Sequence, residues 1–293
     1  MAGSSAYLRP ERLGDALDAL ARGPLTVLAG GTDVYPARVG RPFDGDVLDI
    51  IGLAELHGVA THADGRLRIG ALTRWADLAG GRGLPPHLAG LALAARDVGG
   101  RQIQNVATLG GNLCHASPAA DAVPNLLALD ASVELVSSAR GRRELRLEEF
   151  VLGNRRTALA TDELLTAILV PAPRGEAAST FLKLGGRRYL VISAVAVAVM
   201  LDVVDGRIAR AGVAVGACAP TARRLPALEE RLLGERPGPA LARLPDAGCL
   251  APLSPIDDAR GTAAYRLDAC LTLLRRALAE LAGGGLNRAP LAA

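Results

Sequence analysis

The chain has 293 residues, half of them apolar, which is enough to bury a sizeable core in one large domain or two to three compact ones and excludes a disordered chain. Only 3% of the residues are aromatic and the formal charge is +3, so Ala, Leu and Val build the core and the charge balance names no partner. The arginine pairs Arg142-Arg143, Arg155-Arg156, Arg187-Arg188, Arg223-Arg224 and Arg275-Arg276 are dispersed and lack interleaved aromatics, so nothing supports nucleic-acid binding.

In chain order, Met1-Ala2-Gly3-Ser4-Ser5 lacks the basic and apolar regions of a secretory signal. Leu13, Ala16, Leu17 and Leu20 predict an amphipathic helix over Pro10 to Arg22, stopped by Gly23-Pro24. Leu25 to Ala29, Asp46 to Ile51 and Arg66 to Leu72 read as strands, and Thr73 as the cap of a helix from Arg74 to Leu78. A helix through Leu88 to Val98 leads into Gly99-Gly100. Asp121 to Leu129 is expected to be helical and Ser132 to Ser137 extended. Pro171-Ala172-Pro173-Arg174-Gly175 is the best linker candidate. Beyond it, Thr180 to Leu184, Leu190 to Leu201 and Ile208 to Gly216 read as strands, with a hairpin turn at Val203 to Arg207. Helices follow near Arg223 to Leu233 and over Ala263 to Leu281, ending at Gly283-Gly284-Gly285. Strands followed by helices make the second part α+β. There is no internal repeat. The longest apolar run, Leu190 to Leu201, is too short to span a bilayer.

Two stretches carry candidate chemistry. Thr108-Leu109-Gly110-Gly111-Asn112-Leu113-Cys114-His115 runs on to Ser117-Pro118 and Asp121, and Leu25 to Ala29 delivers Gly30-Gly31-Thr32-Asp33. Glycine adopts positive φ without strain and admits a ligand close to the backbone, and consecutive N–H groups in such a turn form an anion nest. Two such turns can close on one diphosphate from two sides. Asp121 is either a helix cap or a ligand for ribose or ribityl hydroxyls. Cys114-His115 reads as pocket lining through the backbone rather than as a metal pair. Lys183, the only lysine, is a fixed charge in preference to a Schiff-base residue, and Trp75 is core. The four cysteines Cys114, Cys218, Cys249 and Cys270 show no C-x-x-C spacing, so no iron–sulfur cluster or structural zinc is expected from this chain alone, and no metal ligands are assigned. No G-x-G-x-x-G or Walker lysine motif is present. The expected location is cytoplasmic and reducing.

The central stretch, preceded by Gly100-Arg101-Gln102-Ile103-Gln104-Asn105, resembles the FAD-binding medium subunit of molybdenum hydroxylases, the xanthine dehydrogenase and carbon monoxide dehydrogenase family. Ala29-Gly30-Gly31-Thr32-Asp33 matches that family's other flavin loop. Thr157-Ala158-Leu159 with Asp162-Glu163-Leu164-Leu165, Phe181-Leu182-Lys183-Leu184-Gly185, and Asp258-Ala259-Arg260 with Tyr265-Arg266 match in order. Gln104 departs from the pattern, standing where arginine is usual. The cysteine-rich insertion of the 4-hydroxybenzoyl-CoA reductase branch is missing.

The resemblance implies an α+β fold: a vanillyl-alcohol-oxidase-like (PCMH-type) two-part FAD-binding domain over residues 1–173, split near 55–60, then a C-terminal α+β domain over 174–293. It implies non-covalent FAD. Val27, Leu28, Ala29, Gly30, Gly31, Thr32, Asp33 and Val34 would run along its diphosphate, with Thr108, Gly111 and Asn112 on the other side. Cys114 and Asp121 would contact the flavin side, and Val98, Leu165 and Lys183 would lie near the isoalloxazine. No residue of this chain is assigned a catalytic acid–base role. The implied partners are a small subunit with [2Fe–2S] clusters and a large subunit with a molybdenum cofactor, in a dimer of heterotrimers, with electrons leaving the flavin for NAD⁺ or another acceptor. A self-sufficient flavin oxidase and a non-enzymatic flavin nucleotide sensor are the competing readings.

Overall fold

The computed structural model describes residues 6–43 and 45–283; the expectations for Met1 to Ser5 and for Gly284-Gly285 lie outside the described residues. The first unit is a small parallel sheet of β1 (Tyr7–Leu8), β2 (Thr26–Leu28) and β3 (Val47–Asp49), with β3 in the middle. Helix α1 (Leu13–Ala21) covers it, burying Ala16, Leu17 and Leu20 against Leu48, Ile50 and Leu53. That is the face expected from the i, i+3, i+4, i+7 spacing.

The second unit is an antiparallel sheet in the order β4-β5-β10-β6-β7, formed by β4 (Val59–Thr61), β5 (Leu67–Gly70), β6 (Ser132–Ser137), β7 (Gly141–Arg146) and β10 (Leu164–Val170). Between β5 and β6 the chain forms five helices: α2 (Trp75–Ala79), α3 (Ala89–Asp97), α4 (Arg101–Val106), α5 (Leu109–His115) and α6 (Ala122–Ala128). After β7 come a single helical turn, α7 (Leu147–Phe150), and a hairpin of β8 (Val151–Gly153) and β9 (Arg156–Thr157). Thr73 does not cap α2. Its hydroxyl donates to the Gly58 carbonyl, and Arg74 occupies the cap position, its N–H bonded to Asp77.

The third unit is an antiparallel sheet of β11 (Glu176–Leu184), β12 (Val195–Val204), β13 (Arg207–Gly216) and β14 (Arg223–Arg224), followed by α8 (Pro226–Leu232) and α9 (Ala263–Ala282). The hairpin between β12 and β13 turns at Asp205-Gly206, both at positive φ, which suits a tight turn between twisted strands. Strand β12 begins at Val195, five residues later than the apolar run suggests. Leu190 takes a left-handed conformation, and the Ser193 hydroxyl is drawn to Asp121, so the chain loops before it can pair.

Both faces of this sheet are buried, and the side chains alternate accordingly. Val195, Val197, Val199 and Leu201 point to α8 and α9, where Cys270, Leu274, Ala277 and Leu278 meet them. Ala196, Ala198, Met200 and Ala214 join the core of the second unit. At Gly212 on that face no side chain fits, because α6 lies almost on the strand: a Cβ there would sit 1.8 Å from the Ala128 carbonyl oxygen. The linker candidate Pro171 to Gly175 is also held tightly, since the N–H groups of Arg174 and Gly175 both donate to the fully buried Asp202 carboxylate. No helix among the described residues is long and apolar enough to cross a membrane.

Two outcomes follow. Gly212→Ala drives α6 away from the sheet and destabilises the protein by about 1–3 kcal/mol or more, as overpacking does; the urea unfolding midpoint measures it. His87, in the turn before α3, is buried without an acceptor for its Nε2, and burial, aided by the Arg210 charge, lowers its pKa below the ordinary 6.5, with Asp202 opposing. A depressed folded-state pKa means that the unfolded chain takes up the proton first as pH falls through 6.5. Wild-type stability should therefore fall from pH 7 to 5 more steeply than that of His87→Gln, by at most about 1.4 kcal/mol per pH unit. Parallel slopes would show that His87 does not carry this loss.

Candidate functional site

The end of β2 and the start of α5 come together as the walls of one cleft of about 470 Å3. Its lining includes Val27, Ala29 to Val34, Thr108, Gly110, Gly111, Asn112, Cys114 and His115. Val98, Leu159, Leu164 and Leu165 close one part, with Ile50, Ala71, Leu72, Trp75, Ile103 and Ala107. The first glycine stretch touches, through its main chain, the segment Val106-Ala107 that leads into α5. A Cβ at Gly30 would lie 2.1 Å from the Val106 carbonyl oxygen, so only glycine allows this approach.

The two walls differ in what they offer. In the first, Gly31 is left-handed, with φ of +70°, and a Cβ there would strike the Tyr35 ring at 2.5 Å. The backbone N–H groups of Gly30, Gly31, Thr32, Asp33 and Val34 have no acceptor among the described residues, and all five residues line the cleft. A run of free donors of this kind suits a diphosphate. In the second wall the expected turn is instead the helix α5, and Gly110 and Gly111 do not have positive φ. Its first N–H groups are already used: Leu109 bonds the Thr73 carbonyl at 2.9 Å, and Gly110 the Ala71 carbonyl at 2.8 Å. Gly111 bonds the Thr108 hydroxyl at 3.1 Å, with Thr108 as the helix cap. Glycine serves this wall by closeness: a Cβ at Gly110 would meet the Ala71 carbonyl oxygen at 2.7 Å.

Three of the sequence-predicted residues do not line the cleft. Leu28 is buried beneath its loop. Asp121 and Lys183 form a buried ion pair at 2.9 Å, and Ser193 donates to the second Asp121 oxygen at 2.7 Å. Asp121 starts α6, yet its carboxylate makes no cap bond. Burial raises its pKa, while Lys183 and Ser193 pull it back. Lys183 also donates to the Asp97 carbonyl at 3.1 Å, next to the cleft residue Val98. Gln104, in the place of the usual arginine, is buried and donates to the carbonyls of Arg96 and Val98 at 3.1 Å each, which fixes the end of α3. Cys114 opens on the cleft with no charge beside it, and desolvation pushes its thiol up to about 12. His115, on the same helix, turns to Asp33, with its Nδ1 2.8 Å from the carboxylate. Sequence reasoning missed Ile103 and the lining role of Trp75, and it expected His115 to line the pocket through its backbone, whereas its side chain is engaged by Asp33. The adjacency of His115 to Cys114 was the one available signal. No group of three or more His, Cys, Asp or Glu side chains among the described residues is arranged to hold a metal ion.

A cleft lined both by free main-chain donors and by apolar side chains suits a ligand that joins a diphosphate to a flat ring. Residues 3–173 match the model of the FAD binding domain in molybdopterin dehydrogenase, and residues 180–281 that of the CO dehydrogenase flavoprotein C-terminal domain. The chain is 31% identical over 292 residues to the xanthine dehydrogenase FAD-binding subunit of Escherichia coli O157:H7, covering 97% of this chain and 99% of the relative. It is 32% identical over 281 residues to the caffeine dehydrogenase subunit beta of Pseudomonas sp. (strain CBB1), covering 94% of each. A chain of the carbon monoxide dehydrogenase from Hydrogenophaga pseudoflava, in a form lacking the Mo-pyranopterin moiety, superposes with a TM-score of 0.84 at 27% identity, over 97% of this chain and 99% of that one. This chain belongs to the xanthine dehydrogenase and carbon monoxide dehydrogenase family as an FAD-binding medium subunit, an oxidoreductase component.

The two walls respond differently to a methyl group. Gly31→Ala meets both the left-handed strain, about 1–2 kcal/mol, and the Tyr35 ring, and should lower the FAD content of the purified protein about tenfold or more. Gly111→Ala meets only the Thr108 hydroxyl at 2.9 Å, on a helical backbone, and should keep most of it. Absorbance ratios at 450 and 280 nm of the two variants test the contrast, and equal losses would contradict it.

Proposed function

We propose that this chain holds one FAD non-covalently in the cleft and relays electrons within a multi-subunit molybdenum hydroxylase. The electrons arrive from [2Fe–2S] clusters on a small partner subunit, which draw on a molybdenum cofactor in a large subunit, and leave for NAD⁺ or another acceptor. The observation that carries the FAD assignment is the run of five unengaged N–H groups from Gly30 to Val34 along one wall. When bound, FAD supplies interchange between one- and two-electron transfer.

The residues of this chain bind and orient. Val27 to Val34 hold the diphosphate, with Leu28 supporting the loop from below, and Thr108, Gly111 and Asn112 form the facing wall. Val98 and Leu165 line the apolar part that takes the ring, with Cys114 on its flavin side. Asp121 and Lys183 stand behind the lining as an ion pair and support it through the Lys183 bond to the Asp97 carbonyl, next to Val98. Cys114 is a neutral thiol at physiological pH and the ring of His115 is engaged by Asp33, so neither is set to form a covalent flavin bond. The lining contains no unengaged histidine or tyrosine to act as a substrate acid or base, which favours a relay over a self-contained oxidase.

The relatives whose names mark them as subunits support an assembly with partner chains, taken here as a dimer of heterotrimers in the cytoplasm. The domain division in this reading is a PCMH-type FAD-binding domain over 1–173, in two parts split near 55–60, and a C-terminal domain over 174–293. Acid precipitation of the purified chain should release one FAD per chain to the supernatant, and metal analysis should find no stoichiometric iron until the partners are present. FMN, or flavin that stays with the precipitate, would overturn the cofactor assignment. Iron in the isolated chain, or substrate hydroxylation by it alone, would overturn the relay.

A further inference from the structure

His115 and Arg155 belong to neither wall's set of flavin-holding residues, yet both converge on Asp33. The His115 Nδ1 lies 2.8 Å from one carboxylate oxygen, and the Arg155 guanidinium 3.5 Å from the other. Asp33 sits on the glycine loop after β2, His115 at the last position of α5, and Arg155 in the turn of the β8–β9 hairpin. Three segments far apart in sequence thus meet at one carboxylate on the rim of the cleft, which Asp33 and His115 both line. The main chain reinforces the junction: the Arg155 N–H donates to the Ala116 carbonyl at 3.1 Å. Ala116 and Arg155 are both left-handed, at φ of 49° and 55°, although neither is glycine. Such conformations persist where the surroundings over-determine them.

We infer that Asp33, His115 and Arg155 form a clasp that ties the two glycine walls together at one end of the cleft and slows release of the flavin. His115 and Arg155 are positioning residues: they act on FAD through Asp33 and α5. The inference rests on the FAD reading above. The wall built on Gly30 to Val34 has few internal bonds, because its N–H groups are left for the ligand, so its position relative to α5 depends on contacts such as these. Asp33 is 47% exposed, His115 25% and Arg155 61%, so each contact is modest and screened by salt.

The test uses the full-length chain loaded with FAD, with release followed by the rise in free-flavin fluorescence. His115→Ala and Arg155→Ala should each speed release about two- to five-fold, and His115→Gln, which keeps a donor, should recover part of the difference. In an Asp33→Ala background the further change His115→Ala should have little effect, because its partner is already gone. Raising NaCl to about 0.5 M, where the screening length is only a few ångströms, should speed wild-type release towards that of Arg155→Ala. Arg155→Ala, in an exposed turn, keeps the test open should His115→Ala fold poorly. Release at the wild-type rate from both single variants, or additive effects with Asp33→Ala, would overturn the clasp while leaving FAD binding intact. A wild-type chain that takes up no FAD would overturn both readings.

Discussion

The backbone of Gly30 and the carbonyl of Val106 lie so close that even a methyl group has no room between them. That main-chain contact sets how closely the loop after β2 can approach the segment leading into α5. Main-chain positions are set by the sheets, so the cleft depends on the pairing of β2 with β3 and on the docking of α5 onto Ala71 and Thr73, just past the end of β5. Its electrostatic character is equally a backbone property. The α5 wall has used its N–H groups to dock onto Ala71 and Thr73, whereas the Gly30 to Val34 wall keeps its own free. One wall is anchored and the other keeps its donors unengaged.

The same principle of close approach joins the flavin-binding part to the C-terminal sheet. Strand β12 presents valines to one side and alanines to the other, and Gly212 in β13 lets α6 settle onto the strand. A sheet buried on both faces needs one thin side where a helix lies this close to it. The buried Asp121–Lys183 pair crosses this junction, with Ser193 completing it. A charge pair so deeply buried is costly unless its hydrogen bonds are satisfied. Here Asp121 has both partners, and Lys183 also reaches the Asp97 carbonyl beside Val98. The apolar end of the cleft is thereby tied to a strand of the other sheet.

Much was legible in the residues themselves. The periodicity of Leu13 to Leu20 gave the first helix and its buried face. The Asp205-Gly206 turn and its flanking apolar runs gave the central hairpin of the last sheet. Gly30-Gly31 and Gly110-Gly111 marked both cleft walls, and their resemblance to the flavoprotein family agrees with the family matches. Errors arose where a local pattern met a distant partner. Thr73 has the chemistry of a helix cap, but the Gly58 carbonyl takes its hydroxyl. Leu190 to Ala194 has the composition of a strand, but Asp121 and a left-handed Leu190 bend it away.

The sequence by itself determined the longer amphipathic and apolar elements, the family and the two glycine segments, because periodicity, turn residues and motif spacing are properties of neighbours along the chain. Tertiary structure alone decided that the free donors lie on one wall only, since the fate of an N–H depends on which distant carbonyl reaches it. It also decided that Asp121 meets Lys183 and Ser193 and that His115 meets Asp33. A charged or polar side chain is satisfied by whatever the packing brings within about 3 Å, and no local pattern encodes that partner.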